Sequence, residues 1–221
     1  MASIIRLATA NDAEQIQAIY APNVIYTAIS FELEPPTVDD MRQRIVRTIQ
    51  RWPWLVCEHA GEVLGYAYAS EHRARAAYQW SVDVSVYVHA QVHRAGIGRA
   101  LYSSLFKLLA LQGFYNAYAG ITLPNPGSVG LHESLGFHPI GVYRGVGYKL
   151  GAWHDVGWWE LTLQAHTVPP EPLKDFRTLR TSPAWEETLT AGLSLLRLES
   201  PHVSRTRSFG RADRTPQLPS L

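Results

Sequence analysis

Two glycines spaced one residue apart, Gly96 and Gly98, sit in the run His93-Arg94-Ala95-Gly96-Ile97-Gly98-Arg99, which opens a segment with a helical apolar stripe. A helix N-terminus presents unpaired backbone N–H groups and roughly half a positive charge, and glycines let a ligand approach that backbone closely. The chemistry such a turn suits is the holding of an anion, most often phosphate, with the basic side chains of His93, Arg94 and Arg99 around it. A dinucleotide site would carry a third glycine where Leu101 stands, and a P-loop would place Lys and then Ser or Thr where Arg99 and Ala100 stand, so both are disfavoured. By itself the pattern fits a plain loop-to-helix turn equally well. His154 beside Asp155 invites a triad or a metal site, but neither Gly-x-Ser-x-Gly nor His-Glu-x-x-His occurs in the chain. Cys57 is the single cysteine, which excludes an intramolecular disulfide and a cysteine-rich metal cage; it reads as a small buried strand residue.

Holding such a turn takes a strand before it and a helix after it, and the sequence alternates accordingly. "SIIRLA" reads as a strand, Thr9 and Asp12 as a helix cap, and Ile16, Ile19 and Tyr20 as helical spacing. Residues 23–37 read as a connection, and Thr37 caps a second helix to about Gln50 with Met41, Ile45, Val46 and Ile49 facing inward. "WLVCEH" and "VLGYAYAS" flank a turn at Gly61, and "WSVDVSVYV" alternates as a core strand before the glycine turn and its helix. Strand "YNAYAGIT", helix "PGSVGLHESL" ended by Gly136, and strands "HPIGVYRGV" and "VGWWELTL" complete the pattern. The order βααβββαβαββ predicts an α/β (α+β) domain, a mixed sheet with helices on both faces.

The chain has 221 residues, 46% of them hydrophobic and 18% charged, with a formal net charge of +1. That is the composition of one folded domain, without the basic stripe that nucleic-acid binding needs. No window approaches the roughly 18 apolar residues of a membrane span, and the N-terminus lacks a basic flank followed by an apolar run, so no membrane partner and a cytoplasmic location are expected. All eleven tyrosines and six of the seven tryptophans precede His166, whereas half of the fourteen prolines follow it. The expected folded domain is therefore residues 1–165. Residues 166–221 read as a Pro- and Arg-rich tail, mostly disordered, with room for one helix near 183–198 capped by Ser182.

The combination of "SVYVH", "HRAGIGRAL" and "LPNPGSVGLHESLGF" resembles the GCN5-related N-acetyltransferase (GNAT) superfamily, whose pyrophosphate loop has the pattern Q/R-x-x-G-x-G/A. Together with "SFE", "RARAAYQW" and "GYKLGAWHDVGWWEL", it looks like the phosphinothricin N-acetyltransferase family, over about residues 3–164 and in the same order. The resemblance implies a GNAT fold with a central, mostly antiparallel sheet of about seven strands. It also implies acetyl-CoA as co-substrate, no metal, a homodimer, and acetyl transfer to the amino group of a small amino acid such as phosphinothricin, methionine sulfone or methionine sulfoximine.

Carried over residue by residue, the pyrophosphate of acetyl-CoA falls on His93, Arg94, Ala95, Gly96, Ile97, Gly98 and the adjacent Arg99. His93 stands where Gln or Arg is commoner, so backbone donors are expected to dominate. Val86, Tyr87 and Val88 would offer backbone groups to the pantetheine arm as an added strand would, and one of their N–H groups would polarise the thioester carbonyl. Asn125, with Ser128 following it, would bond a pantetheine amide, although a turn Asn beside proline accounts for its type without a ligand. Asp83 stands where the family has Glu and is expected to take a proton from the amine; being shorter by about 1.5 Å, it would act through a water or a shifted substrate pose. His132, where the family has His, would donate to the leaving sulfur or bond the amine, a structural role being the alternative. Arg75 and Tyr78 would grip the phosphinate or carboxylate, with Arg73 nearby and Phe31 walling the methyl group, while Trp153, His154 and Asp155 would shape the core and a dimer contact. Two rivals remain: the same transfer to another amine or a peptide N-terminus, and an acyl-CoA-binding module without catalysis.

Overall fold

The computed structural model describes residues 3–198. Seven strands form one sheet in the order β1-β2-β3-β4-β5-β7-β6. They are β1 Ser3–Leu7, β2 Trp54–His59, β3 Glu62–Glu71, β4 Ser81–Val88, β5 Asn116–Leu123, β6 His138–Lys149 and β7 Ala152–Thr162. Neighbours are antiparallel except β4 and β5, the one parallel pair. The expected order of elements through residue 162 is the observed one.

Helices α1 (Ala13–Tyr26) and α2 (Val38–Thr48) cover one face. Ile16, Ile19, Tyr20, Met41 and Ile45 pack there on Trp54, Val56 and Tyr66. Thr9 N–H donates to the Asp12 carboxylate at 2.7 Å and the Asp40 N–H to Thr37 Oγ1 at 3.1 Å, so both expected caps form. Three details differ from the sequence reading. Residues 23–26 continue α1 rather than belonging to the connection, Val46 faces solvent at 42% exposure, and β6 and β7 run longer because they pair as a hairpin through Leu150 and Gly151.

Helix α3 (Ile97–Gln112) lies on the other face, where Leu101, Leu105, Leu108 and Leu109 are buried against Val82, Val84 and Ala117. The short α4 (Pro126–Glu133) flanks it, and Gly136 takes a positive φ of 92° just beyond the end of α4, a conformation that spares a side chain strain.

The expectation of a mostly disordered tail does not hold for residues 166–198. Helices α5 (Phe176–Leu179) and α6 (Trp185–Thr190) bury Phe176, Leu179, Trp185 and Leu189 in the α3 core. The Tyr115 hydroxyl meets Thr167 Oγ1 at 2.6 Å, and Trp80 Nε1 donates to the Glu171 carbonyl at 2.8 Å. The helix near 183–198 is shorter than expected, and Ser182 does not cap it: its hydroxyl is buried without a hydrogen-bond partner. The remainder of the tail reading, residues 199–221, lies outside the described residues.

Candidate active site

The parallel pairing of β4 with β5 covers Ser81, Val82 and Asp83 and then stops, although β4 continues to Val88 and stays paired with β3 along that length. The sheet therefore parts at Asp83, and the edge of residues 84–88 turned toward β5 has no ladder partner. Such an edge can take an amide-bearing ligand as an extra strand. Val86, Tyr87 and Val88 lie on it, all half-buried.

The glycine turn closes the far end of this fork. Gly96 is the residue before α3 and has φ +79°, a left-handed conformation suited to glycine; Arg94 shares the region at φ +67°. A Cβ on Gly98 would stand 3.1 Å from Leu131 and 3.7 Å from Val88, so this glycine lets the start of α3 approach both α4 and β4. The His93 ring bonds the Val88 carbonyl at 3.2 Å, and Arg99 reaches Ser134 at the end of α4, donating to its hydroxyl at 2.6 Å. Two of the three basic side chains are thus tied to protein, and the turn lies at the positive end of a sixteen-residue helix. From Asp83 to Val88 the strand rises about 17 Å at roughly 3.3 Å per residue, which sets the reach from the anion seat to the vertex.

At that vertex the Asp83 carboxylate is 2.6 Å from His72 Nδ1. Alternation places Val82 and Val84 toward α3, which leaves Asp83 on the face of α1 and α2. Burial raises the Asp83 carboxyl above its ordinary value, opposed by the hydrogen bond from His72. The His72 ring stacks on Tyr118 at 4.3 Å and meets Tyr78 edge-on at 5.9 Å. Arg73 lies over the Trp158 ring at 5.5 Å. His72 was not singled out in the sequence; the only signal was its place two residues past Ser70, the β3 partner of Asp83, which makes it a diagonal neighbour once the hairpin register is known.

The expected acceptor residues fall in two places. Arg73, Arg75 and Tyr78 line a cavity of about 550 Å³ together with Ser81, Gln112 and Lys174, on the side of α3 and the residues after 166; neither His72 nor Asp83 lines it. Phe31 lies elsewhere, packed on Gly147 so closely that a Cβ there would overlap its ring, and 6.3 Å from His154. Trp153 is 69% exposed on the β6–β7 hairpin and is not a core residue; His154 bonds the Lys149 carbonyl, and Asp155 pairs with Arg144 at 2.8 Å.

On α4 the structure shows structural uses for the expected residues. Asn125 Oδ1 accepts the Ser128 N–H at 3.1 Å and caps the helix. His132 is 3% exposed, with Nδ1 donating to the Ser128 carbonyl at 2.8 Å and Nε2 at 3.1 Å from the Tyr102 hydroxyl. Burial lowers its pKa, so the ring is held neutral. Both ring nitrogens thus have protein partners, which favours the structural alternative for His132. Cys57 is buried on β2, where burial pushes its thiol up to about 11, as expected of an inert core cysteine. Among the described residues no helix is long and apolar enough to cross a membrane, and no three His, Cys, Asp or Glu side chains gather as a metal site.

A parting sheet beside a glycine turn and a half-buried carboxylate suit acyl transfer, and comparison with known proteins makes the class specific. Residues 5–158 match the family model described as an acetyltransferase (GNAT) domain. A phosphinothricin N-acetyltransferase of Streptomyces viridochromogenes is 41% identical over 170 residues, 77% of this chain and 92% of that protein. An L-methionine sulfoximine/L-methionine sulfone acetyltransferase of Salmonella typhimurium is 34% identical over 75% of this chain and 97% of its own length. A phosphinothricin acetyltransferase from Sinorhizobium meliloti, solved with acetyl-CoA, superposes with a TM-score of 0.72 at 32% identity, covering 79% of this chain and 95% of that one. The chain belongs to the GNAT acetyltransferases and, within them, to the phosphinothricin N-acetyltransferase family. It is an N-acetyltransferase that uses acetyl-CoA.

Proposed function

We propose that the protein acetylates the amino group of a small amino acid of the phosphinothricin, methionine sulfone and methionine sulfoximine type by direct attack in a ternary complex. The observation that carries this reading is the end of β4–β5 pairing at Asp83, a half-buried carboxylate near which an arm laid along residues 84–88 from the glycine turn would end. Acetyl-CoA supplies the activated acyl group. The N–H groups of residues 94–98 hold its diphosphate, the β4 edge bonds the arm's amides, and an N–H of Val86–Val88 polarises the carbonyl.

Asp83, as carboxylate, takes one proton from the acceptor's ammonium, directly or through a water, and later returns it to solvent. The free amine then attacks, the carbon–sulfur bond breaks as the carbon–nitrogen bond forms, and the second nitrogen proton passes to the departing sulfur. His72 is a positioning residue that orients the Asp83 carboxylate. His132, with its buried bond to Tyr102, fixes α4 against α3 and so supports the arm's binding wall. Tyr78, edge-on to His72, and Arg73, over the Trp158 ring that also meets His72, take the acceptor's anionic group with Arg75 nearby, and Phe31 borders its side chain. A homodimer is part of the same reading, supported by the apolar outer strand β6, where Ile140, Tyr143 and Tyr148 are about half exposed.

Thiol release from acetyl-CoA in the presence of each candidate amino acid tests the proposal. Release with methionine sulfone or phosphinothricin supports it; release only with peptides or other amines moves the acceptor class; binding without release with any acceptor points to the non-catalytic module.

A further inference from the structure

Residues 192–198 run back along the first half of α3 toward the glycine turn, beyond the residues 5–158 that match the family model. The Gly192 N–H donates to the fully buried Ser104 hydroxyl at 3.0 Å, and a Cβ on Gly192 would overlap the Ala100 carbonyl. Three residues on, the Leu195 carbonyl presses on Gly96 so closely that a Cβ there would overlap it. The Arg197 N–H then donates to the Ala95 carbonyl at 2.8 Å. Ala95 and Gly96 fix the direction of the N–H groups that follow them, and a turn containing a left-handed glycine has other conformations available to it.

We propose that residues 192–198 brace the diphosphate turn of the acetyl-CoA site, with the main-chain amide of Arg197 as the positioning contact. Holding the Ala95 carbonyl and blocking Gly96 from one side leaves the turn already in its anion-binding shape, so less ordering accompanies binding. The inference rests on the acetyl-CoA reading for its consequence in affinity, but the brace itself can be read in the free protein.

The test uses Arg197→Pro, which removes the N–H, and Arg197→Ala, which keeps it. Leu196 is extended (φ −68°, ψ 135°), a conformation that a following proline accepts. Amide hydrogen exchange of residues 95–100, where the Ala95 and Ala100 N–H groups donate to the Val92 and Gly96 carbonyls at 3.4 and 2.9 Å, is read in the free full-length protein together with calorimetric acetyl-CoA affinity. The expected result is faster exchange in that segment for the Pro variant and affinity about fivefold weaker, the net worth of one backbone hydrogen bond, with the Ala variant within about twofold of wild type. Unchanged exchange in the Pro variant overturns the brace, as does equal loss in the Ala variant, which would assign the effect to the side chain. If wild type binds no acetyl-CoA, the functional reading fails, and the exchange data still decide the brace. Should the Pro variant fail to fold, Ser104→Ala, which frees the Gly192 end, must raise the same exchange or the inference falls.

Discussion

Asp83 and His72 face each other across the end of the β3–β4 hairpin, carboxylate oxygen to ring nitrogen at 2.6 Å, at the point where the sheet parts. The His72 side chain is 11% exposed and that of Asp83 29%, so the carboxylate keeps an opening while its partner is fixed by stacking on Tyr118. A base needs both conditions: access to the proton it removes and a held orientation.

Replacing Asp83 by Asn is expected to lower kcat by about 10²–10⁴-fold while leaving acetyl-CoA affinity nearly intact. Steady-state kinetics and calorimetry on the same preparation measure both. Equal loss of both would contradict the assigned role. The same variant is expected to be at least as stable as wild type at neutral pH. Burial raises the Asp83 carboxyl above its ordinary value of 3.8, so the folded form favours the protonated acid. Its contribution to stability is full below that value and is lost as pH rises through the folded pKa, a loss the Asn variant does not share. Melting curves across that window show the difference.

His72→Phe keeps a ring for Tyr118 and removes the hydrogen bond. That bond lowers the Asp83 pKa, so its loss leaves burial opposed only by the Arg73 charge, and the acid limb of the kcat/KM profile should move to higher pH. The fall in kcat is expected to be about tenfold, short of the 10²–10⁴ for loss of the base itself. An unmoved acid limb would show that His72 does not tune Asp83.

Acid should weaken the fold through His132. Its folded pKa lies below the ordinary 6.5 because of burial, so the stability it contributes is present above 6.5 and is lost as pH falls through the folded value. His132→Gln is expected to flatten that part of the curve. Urea midpoints at pH 7.5 and 5.5 for both proteins give the answer.

Trp185→Ala should cost about 3–5 kcal/mol, the usual penalty for emptying a buried aromatic site. Val168→Ala, at a position 98% exposed, should change stability by less than about 0.5 kcal/mol. Near-equal melting temperatures would place α6 outside the cooperative core.

Much of this was legible in the sequence because local patterns control it. Alternation marked β4, apolar spacing marked α3, Thr37 and Asp40 marked a cap, and the glycine turn with its neighbouring motifs carried the family. What escaped depended on contacts distant in the chain. Asp83 and His72 meet because a loop of unmarked length returns β4 beside β3. Phe176, Leu179, Trp185 and Leu189 lie in a proline-rich stretch whose apolar residues are too sparse for a strong helical signal, yet each finds a place on α3. The side chain of His132 had the composition of a catalytic group and the surroundings of a structural one: burial, the Ser128 carbonyl at 2.8 Å and the Tyr102 hydroxyl 3.1 Å away.

A sheet that divides midway carries two inner rims, and exposed strand rims are what lead chains to stick to one another. The β4 rim beyond Asp83 is such a rim, and in the proposed function the arm of acetyl-CoA would cover it. Occupancy and solubility would then be linked, and saturating acetyl-CoA is expected to reduce the heat-induced turbidity of the purified protein.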